Sequence, residues 1–173
     1  MSNELIAIIT EGNTERAIID VLLAHDALKF NRQDMLQEEI IRCRNGKRFA
    51  SQFLDKSFDR KIRVYRILDS RAENFNVPKA YERKISEVIN LTTRPEIEIL
   101  FILYHHDYQR YTNGNFAKPS IYVKDNYNDL NKVKSYQDNF DFWDQNFDML
   151  ISILKQYKSY HPNDETIADL LKD

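Results

Sequence analysis

The chain has 173 residues, 42% of them hydrophobic and 30% charged, so it can bury one core of its own and is short for two domains. Its 25 basic and 27 acidic residues leave a formal net charge of -2, which excludes a protein-wide attraction for nucleic acid or membrane and confines any basic surface to a local patch. The single cysteine, Cys43, excludes an internal disulfide and fits a reducing compartment. No signal peptide is read at the N-terminus, and the longest apolar stretch, 99–104, is far below the roughly 20 residues that cross a bilayer, so a soluble, cytoplasmic protein is expected.

In chain order, apolar runs alternate with helix-period segments, the pattern of an α/β, Rossmann-like, largely parallel sheet flanked by helices. Leu5 to Thr10 suits a buried strand, and beyond Gly12 the residues Ile18, Val21 and Leu22 predict a helix reaching about Phe30. Ile40 to Cys43 predicts a second strand, followed by a helix with Phe49, Phe53 and Leu54 inward, and Ile62 to Leu68 a third strand. Pro78 is expected to open a helix with Tyr81, Ile85, Val88 and Ile89 on one face. In TTRPEIEILFILYHHDY, Thr93 and Glu96 have capping-box spacing and Pro95 falls in a first turn, so a buried helix is favoured over a strand. A turn is expected at Thr112 to Asn115. The last third reads as helical, with Phe140, Trp143, Phe147, Leu150, Ile151, Leu154 and Tyr157 in one core stripe and a short helix after Pro162. No linker or repeat divides residues 1–173, so a single domain is expected, with 120–173 a helical C-terminal part packed on it.

Chemistry is expected where strands end, because open α/β sheets collect ligands outside the carboxyl ends of their strands. Glu11 ends the first apolar run and Glu15 follows one helical turn later, which directs both carboxylates at one crevice. Glu15 equally fits a capping role beside Gly12 or Asn13, whereas a glutamate at the tip of a buried strand needs a partner. Asp69 follows the third run as Glu11 follows the first, or else it caps the loop that begins there. Mg²⁺ takes its ligands from one or two such carboxylates, water and a phosphate. Arg42, Arg44, Lys47 and Arg48 form a local basic cluster, and Arg60, Lys61 and Arg63 form another. If both flank the crevice, they form a phosphate-binding surface for DNA or RNA. Arg66 is expected to be exposed at an edge or paired with a carboxylate. His105-His106-Asp107 fits a transition-metal site less well than it fits a helix C-terminus.

These residues, in this order, resemble the Toprim fold, and within it the RloB-like proteins, small relatives associated with bacterial restriction and phage-defence loci. The resemblance is carried by Glu11-Gly12, the Asn45-Gly46-Lys47 turn and Asp69 after the third strand, by Pro95 to His105 with Glu98 aligned, and by Pro162 to Leu171 with Thr166 and Leu170. It implies a Mg²⁺- or Mn²⁺-dependent nuclease that acts in phage defence and cleaves phosphodiesters at a carboxylate-bound metal. Glu11, Glu15, Asp69 and Lys47 are then catalytic, Glu11 and Asp69 bind the metal, and Arg71 joins the first basic cluster at the nucleic acid. The family's second aspartate is replaced by Arg71, a fixed positive charge where a cation belongs. Either Glu73 or Glu98 supplies the missing ligand, or the metal has been lost and the chain is a non-catalytic module that binds nucleic acid or a partner defence protein. No Gly-x-x-x-x-Gly-Lys-Ser/Thr sequence is present, so any ATPase step belongs to a separate subunit.

Overall fold

The computed structural model describes residues 4–68, 74–116, 118–133 and 135–173. The apolar run of β1 (Glu4–Thr10) is buried from Ile6 onward, because strands pack on both its edges and helices cover both its faces. Its neighbours are β2 (Ile41–Arg42), β3 (Lys61–Leu68) and β4 (Ile85–Thr92), in the order β2-β1-β3-β4 and all parallel. The register sets Thr10 against Arg42, Ile9 against Arg66, and Leu68 against Thr92. β1 therefore feeds β2 on one side and borders β3 on the other, which makes the carboxyl ends of β1 and β3 the topological switch point of the sheet.

Alternation along the strands splits the core in two. Ile6, Ile8, Ile67 and Leu91 face one layer of helices, α1 (Asn13–Ala24), α4 (Ile99–Tyr104), α7 (Tyr136–Gln145) and α8 (Phe147–Tyr160). Ala7, Ile9, Ile62 and Val64 face α2 (Gly46–Phe53), which contributes Phe49 and Ala50 and is followed by the equally buried Leu54. Asn45 caps α2 by accepting from the Arg48 amide at 2.8 Å. A Cβ on Gly46 would lie 2.4 Å from the Asn76 carbonyl oxygen, so only glycine lets the chain at 74–77 pass this closely. The C-terminal helices pack on the first face. Asp20 of α1 accepts from Tyr136 of α7 at 2.8 Å and pairs with Arg32.

Four expectations need correction. α1 stops at Ala24, not Phe30, because Asp26 turns left-handed with φ 51° and the Ala27 amide bonds back to the Leu22 carbonyl. Leu28 and Phe30 are buried all the same, since this stretch pairs with the C-terminus through Lys29 N to Leu170 O and Lys172 N to Ala27 O. Residues 85–92 form a strand, and only the single turn α3 (Lys79–Glu82) precedes them. A buried helix does occupy the TTRPEIEILFILYHHDY stretch, but it starts at Ile99 rather than at Pro95, with Glu98 at its N-cap. Helix also extends into the expected turn, since α5 (Tyr108–Asn113) precedes Gly114. The stripe in the last third is shared between α7 and α8, which meet at Asn146.

Candidate functional site at the carboxyl edge

Glu11 leaves β1 at the switch point with its carboxylate about one-quarter exposed. Its Oε2 lies 3.7 Å from Arg44 Nε, and its carbonyl oxygen accepts from Arg42 Nη2 at 3.4 Å. Both contacts follow from the register, because Arg42 ends β2 directly beside Thr10. Lys47 and Arg48 occupy the exposed first turn of α2 beyond them, and neither has an ion-pair partner among the described residues. Together with Asn45, Gly46, Ser51, Asn74 and Asn76 they line an open cleft with no acid among its described lining residues. The first basic cluster therefore adjoins the strand tips. The second does not: Arg60, Lys61 and Arg63 lie at the amino end of β3, and Arg63 is held there by Glu4 at 2.8 Å and Glu87 at 3.2 Å.

Glu15 is only 8% exposed and folds back over the start of α1. A Cβ on Gly12 would stand 2.2 Å from Glu15 Oε2, so this carboxylate occupies the space above the N-cap, where the acid of a capping box lies. Glu98 is half-buried at the N-cap of α4. It lines a cavity of about 180 Å³ with Thr14, Phe101, Lys124 and Tyr127, so α4, the start of α1 and α6 (Pro119–Asn126) converge beside the β1 tip. Burial first, then donation to Asp107 at 2.9 Å, pushes the Tyr127 hydroxyl far above its ordinary range, so it stays protonated and donates.

Asp69, Arg71 and Glu73 lie outside the described residues, although Leu68, which precedes them, ends β3 at this same edge. His105 caps the C-terminus of α4, stacks on Tyr127 at 3.8 Å and stands 3.3 Å from Asp129. His106 adopts φ 59°, and Asp107 accepts from Tyr127, so His105 and Asp107 both engage that tyrosine. Among the described residues, no group of three or more His, Cys, Asp or Glu side chains is placed to hold a metal ion.

Arg66 is not exposed at an edge. It is 1% exposed in the interior of the sheet, where its Nη1 donates to Asn90 Oδ1 at 3.2 Å and its guanidinium lies 4.6 Å from the Phe75 ring centroid. Thr14, Ser120 and Lys124 line the cavity beside Glu98 without any sequence signal, because only the tertiary approach of α6 brings them there.

No protein-family model, no curated protein and no solved structure matches this chain. No helix among the described residues is long and apolar enough to cross a membrane.

Proposed function

We propose that this chain is a Toprim-like, RloB-like nuclease of a phage-defence system, with its site at the carboxyl edge between β1 and β3. The observation that carries this reading is the position of Glu11, a carboxylate at the switch point flanked by Arg42 and Arg44, with Lys47 and Arg48 beyond them. The donor chemistry fits a hard cation, because Mg²⁺ or Mn²⁺ asks for one or two carboxylate oxygens and fills its remaining positions with water and phosphate. Glu11 would hold the ion, with Asp69, Glu73 or Glu98 as further ligands. Such an ion, when bound, would supply Lewis acidity at a phosphodiester and lower the pKa of its bound water. The arginines and Lys47 orient the nucleic-acid backbone and offset its charge, while Glu15 keeps the start of α1 in place.

A second reading, a non-catalytic module binding nucleic acid or a partner defence protein, is favoured by the Arg44 guanidinium standing 3.7 Å from Glu11. A cation already there lessens the need for a metal. On either reading, any ATPase step belongs to another subunit.

Binding of a short DNA or RNA duplex across a salt series tests the surface shared by the nuclease and the nucleic-acid-binding module. Affinity should fall with salt with a slope near 0.9 per neutralised phosphate on duplex DNA, and the pair Arg44→Ala, Lys47→Ala should flatten that slope. Arg60→Ala, at the far end of the sheet, should leave it unchanged. Salt-independent affinity, or none at low salt, contradicts the nuclease and the nucleic-acid-binding module alike, and leaves the partner-protein module. Cleavage that requires Mg²⁺ selects the nuclease.

A further inference from the structure

We infer that the free edge of β4 is a homodimer interface, on which a second copy of this chain adds its own β4 in antiparallel register. β4 closes the sheet on the side away from β2, and among the described residues no strand pairs with its outer edge. The Thr93 amide donates inward to Leu68 O at 3.1 Å, whereas the Thr92 amide donates outward to Glu165 O at 2.8 Å. Peptide groups alternate along the regular part of the strand, from Glu87 to Thr93, so those of Val88 and Asn90 point outward, away from β3. Proteins ordinarily guard such an edge with lysine, proline or a covering segment. Here the segment Ile85–Thr92 has neither lysine nor proline, and its one charge, Glu87, is already neutralised by Arg63 at 3.2 Å.

The occupant is set by self-complementarity. A two-fold axis through Val88 pairs Val88 with itself, so its outward peptide groups meet their own symmetry mates, and it brings Asn90 of each copy to the bulged stretch at the partner's Ser86. Val88 is 37% exposed and borders a groove formed by Phe75, Val77, Pro78 and Ile85, which places apolar surface at the centre of the contact. The same axis brings Arg83 to the partner's Thr93 end of the edge, beside the Glu165 whose carbonyl caps that end. Arg83 and Glu165 are both exposed, and neither has an ion-pair partner among the described residues. Symmetry makes this charge match twice, at opposite rims of an apolar centre, as interfaces are built. The product is one continuous eight-stranded sheet in which the two carboxyl edges point in opposite directions, so each candidate site is complete within its own chain.

Sedimentation equilibrium from micromolar to millimolar protein tests the inference. Wild type should reach twice the chain mass. Val88→Pro removes an amide that faces away from β3, so it should give a monomer with a cooperative melt. Arg83→Glu alone, which touches no buried group, should weaken association, and adding Glu165→Arg should restore it. A wild type that stays monomeric over the whole range overturns the inference, as does a dimer that survives both Val88→Pro and Arg83→Glu.

Discussion

Arg66 shows how far one side chain can depend on an element several residues away. A guanidinium at 1% exposure is costly unless other groups compensate its lost hydration, and here Asn90 of β4 and the face of Phe75 contribute to that compensation. The sequence places Arg66 on the face shared by Ile62, Val64 and Leu68, which is where it lies. Its burial was illegible because residues 85–92 read as a helix, which left β3 as an edge. Once β4 pairs beyond it, the same face is covered. Arg66→Ala should lower unfolding stability by about 3–5 kcal/mol, and Arg66→Met, which keeps an apolar stem against Phe75, by clearly less. Urea denaturation measures both, and a loss below about 1 kcal/mol for the alanine variant would show that the guanidinium is not compensated in this way.

At the scale of elements, the C-terminal segment acts as a clasp. Its last turn, 167–170, carries a reciprocal cap in which Thr166 and Asp169 bond each other, and the Lys158 ammonium reaches the same carboxylate at 2.9 Å. Burial alone would raise the Asp169 pKa. The Thr166 amide, Lys158 and the Thr166 hydroxyl together outweigh burial and hold it below the ordinary carboxylate value. A depressed native pKa contributes stability that is fully present above the unfolded value, near 4 for aspartate, and is lost as pH falls through the native value. Asp169→Asn should therefore lower the melting temperature at neutral pH by an amount equivalent to about 1 kcal/mol. That difference from wild type should close in acid, and a melting series from pH 7 downward in which it stays constant would refute the linkage.

β4 was misread for a related, local reason. A bulge between the Ile62 and Arg63 pairings lets Ile85 and Val88, three apart, share one face, while Ile89 and Leu91 take the other. That spacing imitates a helical stripe, and only the β-branched content of Ile85, Val88, Ile89 and Thr92 argued for a strand. By contrast β1 and β3 were legible, because strands buried on both faces read as continuous apolar runs whatever else surrounds them.

At the scale of the whole molecule, the strand order makes the chemistry local. Every parallel strand delivers its carboxyl end to the same edge, so Glu11, Arg42 and Leu68 arrive together although they are far apart in sequence. Strand tips and the Arg42 to Arg48 turn were readable, since a run's end and a helix's start have sequence signatures. The opposite placement of Arg60 to Arg63 was equally implicit in β3 beginning at Lys61, and became plain only once the strand direction was fixed. The cavity beside Glu98 was not readable, because α6 and α1 meet through tertiary packing alone.

The proposed nuclease site requires Glu11 to be a cation ligand rather than only the acid partner of Arg44. Titration calorimetry of Mn²⁺ into wild type and Glu11→Gln tests this most directly. One saturable Mn²⁺ per chain is expected for wild type, and none for Glu11→Gln with its melting transition retained. Equal binding by the two folded proteins, or no saturable heat from wild type, would contradict the metal site.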